Sequence, residues 1–188
     1  PTLAGMENLK KEGFNLAPVE KASIDHPNTY HCGDVMYDNS LFFSQLSDEK
    51  SIILSQHQLE KERFILCTIH RDNNTDDATS LNSIFNALVR IQEKTGHDII
   101  LPLHPRTKKK MEELLGDELL AQMLDSNGFK IIPPAGFLDI IALEKNARII
   151  VTDSGGLQKE AFFFKKPCVI LREQTEWIEI VENGNARL

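Results

Sequence analysis

The sequence predicts an α/β domain built on a parallel sheet with helices on both faces. From about Glu62 onward, apolar β-rich runs alternate with longer amphipathic segments, the pattern of strands joined by crossover helices. The strand runs are apolar at nearly every position rather than at every second one, as expected of strands covered on both sides. Basic, hydroxyl and glycine residues also gather directly behind each strand run, where an open parallel sheet binds its ligands.

Taken in order, Arg63 to Ile69 reads as the first strand and Ser80 to Lys94 as a helix with Leu81, Ile84, Leu88 and Ile91 on one face. Asp98 to Leu101 is the second strand, followed by a helix over Lys108 to Leu124 that breaks near Gly116-Asp117. Then come a strand at Phe129 to Ile132, a helix at Leu138 to Lys145 and a strand at Arg148 to Thr152. A helix at Leu157 to Phe164, a strand at Pro167 to Leu171 and a helix at Thr175 to Glu182 follow. The first sixty residues are less regular. Leu3 to Glu12 reads as the end of a helix, His26 to Cys32 as extended, Val35 to Leu46 as a helix and Ser51 to Glu60 as a short one. Nothing closes the chain after that last helix, and its ends at Pro1 and Leu188 look like those of a piece of something longer.

Composition narrows the function classes. The 188 residues are 41% hydrophobic and 26% charged, enough for one core, and no apolar run is long enough to span a bilayer. With 21 basic against 28 acidic residues the net charge is -7, which argues against a nucleic-acid surface. The reading is a cytoplasmic protein without membrane or nucleic-acid partners. Cys32, Cys67 and Cys168 are odd in number and scattered, so they fit neither a disulfide framework nor a zinc site and are expected to be buried thiols. No metal is called for.

The densest chemical signal is Ile149-Ile150-Val151-Thr152-Asp153-Ser154-Gly155-Gly156-Leu157-Gln158-Lys159-Glu160-Ala161, a strand that runs through two glycines into a helix. Without Cβ atoms, Gly155 and Gly156 let a diphosphate approach the backbone, and the first helical amides lack intrahelical acceptors at the positive end of the dipole. Ser154 is expected to cap the helix and offer a hydroxyl. One turn on, Glu160 is placed to accept hydrogen bonds from two ribose hydroxyls. Phosphate and ribose together mean a nucleotide. Other strand ends add His70 and Arg71, His104 and Arg106, and Arg172, Glu173 and Glu176. Lys108-Lys109-Lys110 reads as a solvated face, and Phe162-Phe163-Phe164 as core packing of the glycine-led helix.

Four separated motifs give this set a family likeness: Thr68-Ile69-His70-Arg71, Leu103-His104-Pro105-Arg106-Thr107, Thr152 through Ala161, and Leu171-Arg172-Glu173-Gln174-Thr175-Glu176-Trp177. Together they resemble the C-terminal half of the non-hydrolysing UDP-N-acetylglucosamine 2-epimerases, and Gly33-Asp34-Val35-Met36-Tyr37-Asp38 resembles a segment preceding that half. The resemblance implies a glycosyltransferase-B-type fold of two Rossmann-like halves. Residues 61–188 would be the UDP-binding half, and residues 1–60 the connection from an N-terminal domain outside this chain. It implies interconversion of UDP-N-acetylglucosamine and UDP-N-acetylmannosamine by elimination and re-addition of UDP, without a redox cofactor, in a homodimer. By the same resemblance His70 is the active-site histidine. Ser154, Gly155 and Gly156 hold the diphosphate, Glu160 holds the ribose, Arg71 and His104 lie near the phosphates or an adjacent regulatory nucleotide, and Phe137 belongs to the loop sheltering the uracil.

Two departures stand out. Where many relatives have a glutamate two residues beyond His-Arg, this chain has Asn73, and the family's acid and base carboxylates belong to the absent half. The isolated chain is therefore expected to bind UDP weakly and to turn nothing over. The Thr175-Glu176-Trp177 sequence also resembles relatives acting on UDP-2,3-diacetamido uronic acids. That leaves a uronate epimerase, a retaining glycosyltransferase and a UDP-sugar-binding module without chemistry as alternatives.

Overall fold

A computed structural model describes residues 1–188, which divide by internal contacts into residues 1–41 and residues 42–188. The first unit holds α1 (Leu3–Lys11), whose Thr2 cap accepts the Gly5 amide at 3.0 Å, followed by irregular chain. There Asn28 both accepts from the Val19 amide and donates to its carbonyl, at 2.7 and 3.1 Å. Cys32 is exposed, against the expectation of a buried thiol, because this segment has no strand to place it in a core.

Helix α2 (Val35–Lys50) begins before the division between the units and runs one turn further than the sequence predicts. In the second unit follow α3 (Ile53–Gln56), β1 (Phe64–Thr68), α4 (Asp72–Thr75), α5 (Ala78–Thr95), β2 (Asp98–Pro102), α6 (Pro105–Leu114) and α7 (Asp117–Asp125). Then come β3 (Phe129–Ile132), α8 (Phe137–Asn146), β4 (Ile149–Thr152), α9 (Gly155–Phe163), β5 (Cys168–Ile170), α10 (Ile178–Glu182) and β6 (Ala186–Arg187). The helix expected over Ser51 to Glu60 is a single turn, since Gln58 sits at φ 51, outside helical space. Helix α10 starts three residues later than expected because Thr175 turns back on the chain, accepting the Trp177 amide at 3.1 Å. The one-turn α4 and the closing strand β6 were not anticipated; both are too short to carry a periodicity.

All strand pairs are parallel, in the order β3-β2-β1-β4-β5-β6. Successive residues of β1 serve opposite faces. Phe64 and Leu66 join Ile100, Leu143, Ile150 and Ile170 beneath α3, α8, α9 and α10, while Ile65 and Cys67 join Phe85, Leu101, Met111 and Met123 beneath α5, α6 and α7. Burial on both sides explains the uninterrupted apolar strands. Burial also pushes the thiols of Cys67 and Cys168 up, the latter to about 12, so they behave as small core hydrophobes.

Helix boundaries follow local chemistry. Asp77 caps α5 by accepting the Ser80 amide at 2.7 Å, and Gly96, at φ 65, ends it in the left-handed region. Pro105 opens α6 at a position that needs no donor, which is why that helix begins three residues before Lys108. The triple phenylalanine is not core: Phe162 is 42% exposed and Phe163 and Phe164 are half-buried. Three consecutive helical residues sweep about 200°, so they cannot all face the sheet; the buried residues of α9 are Gln158, Lys159 and Ala161, of which Ala161 joins the core.

Candidate nucleotide site

The chain order reverses between β1 and β4. From β1 the chain steps outward through β2 and β3, then returns to β4 on the other side and continues to β5 and β6. The crevice at the carboxyl ends of β1 and β4 is the switch point at which such sheets bind ligands. Register aligns the two ends, with Thr68 opposite Thr152 and their hydroxyls 2.6 Å apart. The Thr152 hydroxyl also accepts the Ser154 amide at 3.0 Å, fixing the turn that feeds α9.

Asp153 organises the crevice. Its fully buried carboxylate accepts the His70 amide on both oxygens, at 3.1 and 3.0 Å, and the Arg71 amide at 2.9 Å. It also accepts the Asn74 side-chain amide at 3.1 Å, and Asn74 in turn donates to the Leu171 carbonyl at 2.9 Å. One carboxylate thus ties the ends of β1, β4 and β5 together. Sequence reasoning placed Asp153 inside the glycine motif without giving it a task; an acidic residue ending an apolar strand was the available signal.

Helix α9 opens at Gly155, and the Gln158 amide to the Ser154 carbonyl, at 3.3 Å, closes its first turn. Ser154 occupies the cap position, but its hydroxyl makes no cap bond to the helix, contrary to the expected capping role. Burial raises the carboxyl of Glu160 above its ordinary range, opposed by the Lys159 charge.

A cleft of about 540 Å³ lies over the ends of β1, β2 and β3. It is lined by His70, His104, Pro134, Ala135, Ile140 and Leu157, among others, so the two histidines share it. His104 caps α6 through Nδ1, which accepts the Arg106 amide at 3.3 Å and leaves Nε2 for another partner. Phe137, the first residue of α8, is 54% exposed and packs edge-on against Phe43 at 4.9 Å instead of lining the cleft. Pro134 and Ala135 from the loop before α8, with Ile140 on that helix, provide the apolar wall. Arg106 is bound to Asp72 at 2.5 Å and to Asp76 at 2.8 Å, so Asp72 serves that cation. The lysine run is likewise paired with acids, Lys109 with Glu113 and Lys110 with Asp76.

The segment after β5 folds over the start of α9. The Thr175 hydroxyl lies 2.5 Å from Gln158 Oε1, and the Trp177 indole donates to the Gly155 carbonyl at 2.9 Å. Lys159 Nζ sits 4.3 Å from the centre of the same indole. Arg172 grips both oxygens of Glu176 at 3.1 and 2.8 Å, with Arg71 3.8 Å away, and the Arg172 bonds hold the Glu176 carboxyl below its ordinary range. A groove of about 740 Å³ between Arg71, Arg172, Asn73 and the first turn of α5 adjoins these arginines. Beneath α9, Glu144 on α8 is wholly buried with neither carboxylate oxygen bonded; burial, then the nearby Glu160 charge, raises it well above the carboxylate range.

Comparison with known proteins agrees with this geometry. The UDP-N-acetylglucosamine 2-epimerase family pattern matches residues 1–188. A UDP-N-acetylglucosamine 2-epimerase homolog of Methanococcus maripaludis is 42% identical over 98% of this chain and 47% of its own length. The UDP-2,3-diacetamido-2,3-dideoxy-D-glucuronate 2-epimerase of Pseudomonas aeruginosa is also 42% identical, over 98% of the chain and 46% of its own. The Methanocaldococcus jannaschii UDP-GlcNAc 2-epimerase, solved in complex with UDP-GlcNAc and UDP, superposes with a TM-score of 0.81 at 32% identity, covering 99% of this chain and 48% of that one. The chain spans about half the length of the curated relatives it matches. A parallel sheet with a glycine-led helix at its switch point, together with a family match over every residue, means that this chain belongs to the UDP-N-acetylglucosamine 2-epimerase family.

Proposed function

We propose that this chain is the nucleotide-binding half of a UDP-sugar 2-epimerase and that the crevice between β1 and β4 takes UDP. The observation that carries the proposal is the opening of α9 at Ser154-Gly155-Gly156, directly beside the His70-Arg71 loop that Asp153 holds. The diphosphate sits on the first amides of α9, where the helix dipole and the absence of Cβ atoms favour a close anion. Glu160, one turn further, accepts the ribose hydroxyls. The uracil rests against the wall of Pro134, Ala135 and Ile140, and Phe137 supports that loop through its packing on Phe43.

His70 stands at the phosphate end of the cleft and stabilises charge that develops on the departing UDP. Elimination of UDP across C1 and C2 gives a 2-acetamidoglucal, and re-addition after the C2 face has changed gives the epimer. Removing the C2 proton requires a positioned base, a contribution of about 10²–10⁴-fold. That base and its partner acid belong to an N-terminal half beyond this chain, to which residues 1–60 lead. The whole protein works as a cytoplasmic homodimer, and the isolated chain binds UDP without turnover.

Calorimetric titration of the chain with UDP tests the site. Ser154→Ala and Glu160→Gln are expected to weaken binding, and unchanged affinity in both would place the nucleotide elsewhere. A second substrate reading, a UDP-diacetamido uronate, is favoured by two guanidinium groups, Arg71 and Arg172, that line one groove. Assay of the whole protein with both UDP-sugars decides between them.

A further inference from the structure

The carboxylate of Glu176 lies beside the first residue of α9. A Cβ built on Gly155 would meet both Glu176 oxygens at 3.5 Å, so the carboxylate hangs directly over the first residue of the helix. Two guanidinium groups accompany it: Arg172, bound to both oxygens, and Arg71 at 3.8 Å. A carboxylate above a glycine-led helix start, flanked by two arginines, has the charge environment that a phosphate requires.

The main chain on either side of Glu176 is tied to α9, while its side chain is half exposed and held only by the two arginines. Thr175 is bonded to Gln158, the Trp177 amide to Thr175, and the Trp177 indole to the Gly155 carbonyl. Those contacts hold the backbone of the segment against α9. The Glu176 side chain is 49% exposed, so rotation about its own bonds carries the carboxylate into solvent without moving the strap.

We propose that Glu176 is an internal counter-ion that competes with the diphosphate of the ligand for Arg71, Arg172 and the start of α9, and is displaced by it. The proposal rests on the UDP reading above. A diphosphate and the Glu176 carboxylate cannot share one helix start and one pair of arginines, because like charges at contact repel. Binding therefore exchanges one anion for another: Glu176 rotates outward, and Arg71 and Arg172 pass to the phosphate oxygens. Glu176 therefore tempers the affinity for a diphosphate while leaving that for a neutral nucleoside untouched.

The test is calorimetric titration of the wild-type chain, Glu176→Gln and Glu182→Gln with UDP and with uridine. Glu182, exposed on α10, controls for the change in net charge. Glu176→Gln is expected to bind UDP about fivefold more tightly, the order expected from relief of one half-exposed charge contact. Uridine affinity should be the same in all three proteins. Equal or weaker UDP binding by Glu176→Gln, or an equal gain in Glu182→Gln, overturns the proposal while leaving the UDP site in place. Failure of the wild-type chain and both variants to bind UDP overturns the nucleotide reading and this inference with it.

Discussion

Replacing Asp153 by Asn removes the charge that holds three strand ends together while keeping the side chain's shape. The carboxylate takes four hydrogen bonds from three donors, the amides of His70 and Arg71 and the side chain of Asn74, and the residue is fully buried. An Asn oxygen at the Oδ2 position can retain three of them, but as neutral bonds of about half the strength. The Asn amide group then faces the His70 N–H, donor against donor. Hydrogen bonds to charged groups contribute about 1.5–3 kcal/mol each against about 0.5–1.5 for neutral ones, so the variant loses about 3 kcal/mol. For a chain of this size that is a fall in Tm of about 6–12 °C. Differential scanning calorimetry gives the Tm, and titration with UDP should show weaker binding because the His70-Arg71 loop is released. A Tm within about 2 °C of wild type, with unaltered UDP affinity, would show that Asp153 does not organise this crevice.

Three further outcomes are expected. Glu144 is buried without partners and keeps its proton in the folded state above the ordinary value of 4.5, where the unfolded chain releases it, so stability falls as pH rises through that window. Glu144→Gln should therefore be more stable than wild type at neutral pH and lose that advantage below pH 4.5; urea titrations giving one constant difference at all pH values would contradict it. Trp177→Phe keeps an aromatic face for Lys159 but loses the bond to the Gly155 carbonyl, so denaturant unfolding should report a loss of about 1 kcal/mol, and no loss would mean the indole does not anchor the strap. Phe85→Ala, in the fully buried core beneath α5, should cost about 3–5 kcal/mol by the same measurement; a cost under about 1 kcal/mol would mean that this face is loosely packed.

How much the sequence reveals depends on the range of the interaction. Strands β1 to β5 were legible as short, largely apolar runs, the pattern that burial on both faces produces most fully in Phe64–Thr68. The glycine-led helix was legible because its chemistry is contiguous from Thr152 to Glu160. The hub at Asp153 was not, since its partners His70, Arg71 and Asn74 lie about 80 positions away in sequence, separated by 83, 82 and 79 residues. The packing of Phe137 was not legible for the same reason: its partner Phe43 lies in α2, far away in the sequence.

By itself, then, the sequence determined the α/β class, the junction of strand and helix at Ser154-Gly155-Gly156 and the family, because each is written in local periodicity or in contiguous motifs. Tertiary structure alone decided the strand order that makes a crevice between β1 and β4, the burial of Glu144 without a partner and the placement of Glu176 over Gly155. Those depend on which distant segments the closing sheet brings side by side. Side chains more than 20 residues apart in the chain carry no local pattern that records such a meeting, and the 21-residue step from Gly155 to Glu176 is an instance.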